Sequence, residues 1–149
     1  MTNKHIHYIP YNDTKVMGYR CIVNYFINKN LGLPSSLNVI IPALSILSNI
    51  GYNQIYLYGA EFSWTKLMDV DPQNNKVYRN DKHFYDKGER VKYYDKGWFL
   101  WALKGQISAM EAIDTLAVYF KRRNVRVINR TKGSFIDSFE YENPEFINE

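Results

Sequence analysis

Gln54-Ile55-Tyr56-Leu57-Tyr58, closed by Gly59, is short, rich in residues that favour an extended backbone, and separated by only three residues from a long apolar stretch before it. It reads as a buried strand. The preceding stretch, Leu37 to Ile50, is apolar nearly all round, which predicts a buried helix with Ser35 or Ser36 as N-cap and Asn49 to Gly51 as its stop. Pro42 lies inside it and is expected to cost one backbone hydrogen bond or to kink it. Further upstream, Tyr19, Ile22, Val23, Phe26 and Ile27 recur at helical spacing within Gly18 to Asn30, and Lys4 to Pro10 alternate like a short strand.

Downstream, Phe99, Leu103, Ile107, Met110, Ile113, Leu116 and Phe120 are three or four residues apart, which only a helix places on one face. Val125-Arg-Val-Ile128 then predicts another strand, and Ser134 is placed to cap a short final helix holding Phe135, Ile136 and Phe139. Ser63 to Gly97 has few apolar residues and a strong turn at Asp71-Pro-Gln-Asn-Asn75, so a mobile insertion, about residues 65–97, is expected to cover the domain as a lid. The tail from Glu140 to Glu149 is polar and expected to fray.

Strands separated by helices long enough to cross over imply a mainly parallel sheet with helices on both faces, an α/β architecture of Rossmann type. About three strands are visible where such sheets usually have five or six, so the sheet reads as incomplete. The expectation is a single α/β domain over residues 1–149, forming the carboxyl-terminal part of a larger fold.

Composition agrees with one core. The chain has 149 residues, 46% hydrophobic and 16% aromatic, too apolar for a disordered chain. Cys21 is the one cysteine, which rules out an internal disulfide framework and a cysteine-based zinc site and fits a reducing compartment. The longest apolar run, Val39 to Leu47, falls short of the roughly 20 residues a membrane span needs, and the first residues carry no apolar signal region. A cytoplasmic protein is expected, with any membrane contact made peripherally at the cytoplasmic face of an inner membrane. Net charge is +4, spread without a polybasic arm; Lys121-Arg122-Arg123 sits where it complements a helix dipole. Charge and aromatics together argue against a nucleic-acid partner.

Ligands of open parallel sheets bind beyond the carboxyl ends of the strands. Two such ends are distinctive here, Gly59-Ala60-Glu61-Phe62-Ser63-Trp64 and Asn129-Arg-Thr-Lys-Gly-Ser134. Ser35-Ser36 points at the same edge, where helix N–H groups and hydroxyls suit a phosphate or carboxylate; capping alone is the other role open to them. Glu61 is placed to reach a ribose or a substrate hydroxyl, or else to bond a nearby loop. His83, inside Asp81-Lys-His-Phe-Tyr-Asp86, has neighbouring carboxylates that raise its basicity, as a general base for a sugar hydroxyl requires; a solvated surface histidine is the alternative. His5 and His7 share a strand face but lack a third metal ligand. No Walker loop, G-x-G-x-x-G or nucleophile elbow occurs.

The succession Pro34-Ser-Ser, an apolar helix, Gly51-Tyr-Asn-Gln-Ile-Tyr-Leu-Tyr-Gly59-Ala-Glu-Phe-Ser-Trp64, a variable lid, and a helix leading to Val125-Arg-Val-Ile-Asn129 resembles the carboxyl-terminal half of bacterial sialyltransferases of glycosyltransferase family 42. It is still more similar to their relatives encoded with surface-polysaccharide and lipopolysaccharide genes. The resemblance spans roughly residues 5–140. It implies Ser35, Ser36, Gly59, Ala60, Glu61, Phe62 and Ser63 as the nucleotide-sugar site, a CMP-sugar donor, a glycan acceptor and no metal or other cofactor. The family's catalytic histidine has no match in Trp98-Phe-Leu-Trp101, which leaves His83 as the catalytic candidate, and Ser63 stands in place of a lid tyrosine. The transferred sugar would be sialic acid-like, and assembly as a homo-oligomer would cover an open sheet edge. Two other readings stay open: a non-catalytic nucleotide- or sugar-binding fragment, and a pterin diphosphokinase-like phosphoryl transferase that needs Mg²⁺.

Overall fold

A computed structural model of the chain describes residues 8–35, 37–81 and 90–146. Helices α1 (Arg20–Asn28) and α2 (Ile40–Asn49) lead into strand β1 (Gln54–Leu57). Strands β2 (Met68–Val70), β3 (Val77–Asp81) and β4 (Arg90–Tyr93) follow, then helix α3 (Trp98–Arg122) and strands β5 (Arg126–Asn129) and β6 (Glu140–Tyr141). They form two sheets, a parallel one ordered β1-β5-β6 and an antiparallel one ordered β2-β3-β4. The architecture is thus mixed α/β. The two strands expected to pair do so in parallel, Gln54 beside Arg126 and Leu57 beside Asn129.

Helices α1, α2 and α3 end in the same way. Asn30, Gly51 and Asn124 take a left-handed backbone just past α1, α2 and α3. The next amide in each case reaches back to the helix: Leu31 to the Phe26 carbonyl, Tyr52 to Leu47 and Val125 to Phe120. These bonds satisfy carbonyls that a helix end otherwise leaves open.

The start of α2 differs from expectation. The helix opens at Ile40 rather than at the serines, and Asn38 Oδ1 accepts the Ile40 amide at 2.7 Å. Pro42 therefore falls in the first turn, where its missing N–H has no helical partner to lose. Neither a broken bond nor a kink follows from it.

The core lies between the helices and one face of the parallel sheet. Val23 and Ile27 of α1, Ile41 and Leu44 of α2, and Ala109, Ala112, Ile113, Leu116 and Phe120 of α3 bury against Ile55, Val127 and, beyond β5, Phe139. The opposite face exposes Gln54, Tyr56, Tyr58 and Arg126 while Ile128 on it is buried, and none of these residues belongs to the helix-packed cluster, so among the described residues helices cover one face and not two. Polar pairing lets that face meet water. The Arg130 guanidinium sits 3.9 Å from the centre of the Tyr56 ring, donates to the Tyr58 hydroxyl and pairs with Glu142, while Arg126 forks onto Glu140.

Three further expectations are corrected. Residues 65–97 are not a bare insertion, because β2, β3 and β4 pair in register there, Met68 with Arg79 and Tyr78 with Tyr93. The turn foreseen at Asp71 joins β2 to β3, with the Asp71 carboxylate accepting the Gln73 amide, the Asn74 amide group and the Tyr93 hydroxyl. The Gln73 amide is the main cause holding this carboxyl below its ordinary range, and the same Asp71 contact raises the Tyr93 phenol. After Ser134 no helix forms; Phe135, Ile136 and Phe139 lie on an irregular path into β6, the third parallel strand. The tail therefore begins as paired strand and continues as a 3₁₀ turn at Pro144–Phe146. Of the alternating segment from Lys4 to Pro10, residues 8–10 have no regular structure and the rest lies outside the described residues.

Candidate functional site

Parallel pairing of β1 with β5 brings the two distinctive strand ends to one rim, as their positions in the sequence require. The two turns are bonded to each other along their length. The Ala60 amide donates to Thr131 Oγ1 at 3.0 Å, Ser134 Oγ donates to the Ala60 carbonyl at 2.6 Å, and the Phe135 amide donates to the Glu61 carbonyl at 2.8 Å. From the side, Gln106 of α3 donates to the Phe62 carbonyl at 2.9 Å. The Ala60 amide and the carbonyls of Ala60, Glu61 and Phe62 are thus spent within the protein, and the side chains of the rim are set on that frame.

Those side chains are of several kinds. Glu61 is exposed and its carboxylate accepts the Ser63 hydroxyl at 3.2 Å. Phe62 is buried, 4% exposed, and takes φ 54°, a left-handed value costly for a bulky residue, while Gly59 takes 68° without that penalty. The Phe62 ring is stacked on Trp64, which stays 43% exposed and so presents a flat aromatic face. Lys66 closes the group: its ammonium donates to the Gly133 carbonyl at 3.1 Å and lies 4.5 Å over the Phe135 ring. A carboxylate, a hydroxyl, an aromatic face and a cation thereby share the short segment from Glu61 to Lys66, set against the Thr131–Phe135 turn.

The residues predicted for the nucleotide-sugar site divide into two groups. Gly59, Ala60, Glu61, Phe62 and Ser63 lie on this rim. Ser35 is buried, 1% exposed, ahead of α2, its Oγ accepting the Leu37 amide at 3.4 Å, so it caps neither α2 nor any other described helix. Ser36 and His83 lie outside the described residues, as do His5 and His7. Among the described residues no group of three metal-ligating side chains occurs.

Sequence reading missed Lys66 and Gln106, which carry no local signature and arrive through the fold. Thr131 had a signal, because it lies in the second strand end. Two concavities occur elsewhere. One, about 340 Å³, separates Lys15 and Arg20 from Glu111 and Asp114; the other, about 700 Å³ and more open, lies under the start of β5. Neither is lined by Ser35 or by the Gly59–Ser63 segment. Compared with protein-family models, with curated proteins and with solved structures, the chain finds no match in any of the three.

Proposed function

We propose that the parallel sheet is part of a Rossmann-like fold and that the chain is glycosyltransferase-like, moving a sugar from a nucleotide donor, with a CMP-sugar favoured, to a glycan hydroxyl in bacterial surface-polysaccharide synthesis. The observation that carries this reading is the rim itself. Glu61, Ser63, Trp64 and Lys66 combine, at the carboxyl ends of parallel strands, the groups that recognise sugar hydroxyls, a flat ring and a phosphate.

In that reaction the acceptor oxygen bonds to the anomeric carbon, the bond from that carbon to the donor phosphate oxygen breaks, and the hydroxyl proton passes to a base. A donor with so good a leaving group asks the protein chiefly for positioning and charge stabilisation. Glu61 accepts hydroxyls of the ribose or sugar, Trp64 backs a ring, and Lys66 answers phosphate charge. His83 is assigned the base. The transfer takes place in the cytoplasm.

Calorimetry with CMP and CMP-sugars tests the site directly. Binding is expected, weakened about tenfold by Glu61→Ala through the loss of charged hydrogen bonds. Failure of the full chain to bind any cytidine nucleotide overturns the reading. If transfer is measured, His83→Ala is expected to slow it about 10²-fold or more, and turnover that requires Mg²⁺ and survives this change favours phosphoryl transfer instead.

A further inference from the structure

We infer that the amino-terminal half of α3, with the Lys92–Tyr94 segment stacked on its tip, is a docking surface for an anionic lipid membrane. Buried residues of α3 begin at Ala109, and none of residues 98–108 is buried. Yet this half carries one charge, Lys104, against four in residues 109–122. Phe99 is 45% exposed, Leu100 58%, Trp101 71% and Ile107 56%. A helix apolar on its open side is one whose partner is elsewhere.

The chemistry around the patch favours lipid as that partner. Residues 91–107 carry Lys92, Lys96 and Lys104 against a single carboxylate, Asp95. Lys92 lies 5.3 Å over the Tyr94 ring, and Tyr94 stacks on Trp98, so cation and aromatics form one block at the helix tip. Lysines beside exposed Trp, Phe and Leu are the composition of a surface that sits at the headgroup boundary of an anionic bilayer. The helix is also graded along its length. Leu100, Lys104 and Ile107 share a stripe that continues as exposed Glu111 and Asp114, which an anionic surface repels. Only the tip can enter.

A second copy fits less well. Laid antiparallel over the whole stripe, it pairs Lys104 with an acidic residue but sets apolar Leu100 against the charge at the acidic end; joined at the tips alone, it sets lysines against lysines. Docking by the tip would hold the strand-end rim close to the lipid, since Gln106 on α3 touches that rim about 12 Å along the helix from Trp98. The surface itself is argued without reference to any reaction at the rim.

Co-sedimentation of the full chain with phosphatidylcholine vesicles, with and without phosphatidylglycerol, tests the assignment. Binding is expected only with the anionic lipid. Trp101→Ser should weaken it about tenfold through lost apolar burial, and Lys96→Gln or Lys104→Gln about fivefold each through one lost surface charge. Because these side chains are exposed, circular dichroism and thermal melting should match the parent. No binding to anionic vesicles, or equal binding by Trp101→Ser, overturns the inference. Sedimentation showing dimers that Trp101→Ser dissolves also overturns it, in favour of a copy-to-copy contact.

Discussion

The two sheets of this protein differ in what they are attached to. Each strand of the β1-β5 pair sends alternate residues into the buried cluster, Ile55 from one and Val127 from the other, whereas no described residue between Phe62 and Ala109 belongs to that cluster. The antiparallel sheet is held by its own ladder and by the Asp71 turn. Stability and surface chemistry are therefore carried by different parts of one chain, and the antiparallel part can change without disturbing the fold.

The sharpest test of this division replaces one apolar side chain in each part. Phe120, 1% exposed and packed against Tyr119 and Phe139, should cost about 3–5 kcal/mol when changed to Ala. Val91→Ala, at a half-exposed position of β4, should cost about 0.5 kcal/mol or less. Urea denaturation measures both. Comparable losses would mean that the antiparallel sheet belongs to the cooperative core after all.

A smaller effect probes the joint between the parallel sheet and the rim. Thr131 is 6% exposed, accepts the Ala60 amide and leans on the Leu57 carbonyl. Thr131→Val keeps the shape and leaves the buried Ala60 amide without that acceptor, at a cost of about 1–3 kcal/mol. Thr131→Ser should recover most of it. If Val and Ser behave alike in thermal melts, the hydroxyl is not what ties β1 to the second turn.

Much of the parallel half is legible in the sequence, and the reason is periodicity. The stripe from Phe99 to Phe120 and the runs at Gln54 and Val125 each state their own period, and α3, β1 and β5 follow within a few residues. The rest is decided by tertiary pairing. Glu140-Tyr141 is polar and two residues long, and only β5 beside it makes it a strand. Residues 68–93 alternate too weakly to announce strands, since neither face of their sheet joins the core. At α2 the apolar run outlasts the helix, and the informative residue is Pro42, whose preference for a first turn marks the start more accurately than the serines do. At the rim, Gly59 through Ser63 can be read as a strand end, but the left-handed Phe62 cannot, because nothing about phenylalanine favours it. Its ring is held by Trp64 and its carbonyl by Gln106, a residue distant in the chain.

The weakest attachment in the parallel sheet is its last strand, and acid should release it first. Glu140 titrates below the usual glutamate range because Arg126 hydrogen-bonds and attracts its carboxylate, with both side chains open to water. A carboxyl lowered by folding contributes stability above the unfolded value of about 4.3 and loses it as pH falls through the folded value. Solvent screens an exposed pair, so the global effect should be slight and the local one visible. Hydrogen exchange of the Glu142 amide, which is bonded to the Asn129 carbonyl, should accelerate in acid relative to amides of β5 once the intrinsic pH dependence is removed. Glu140→Gln should bring the faster rate to neutral pH and flatten the difference. If Glu142 and β5 keep the same relative protection down to about pH 3, well below the unfolded glutamate value, β6 is held by its ladder and by Arg130 with Glu142, and the Arg126 fork only decorates an edge that backbone pairing already secures.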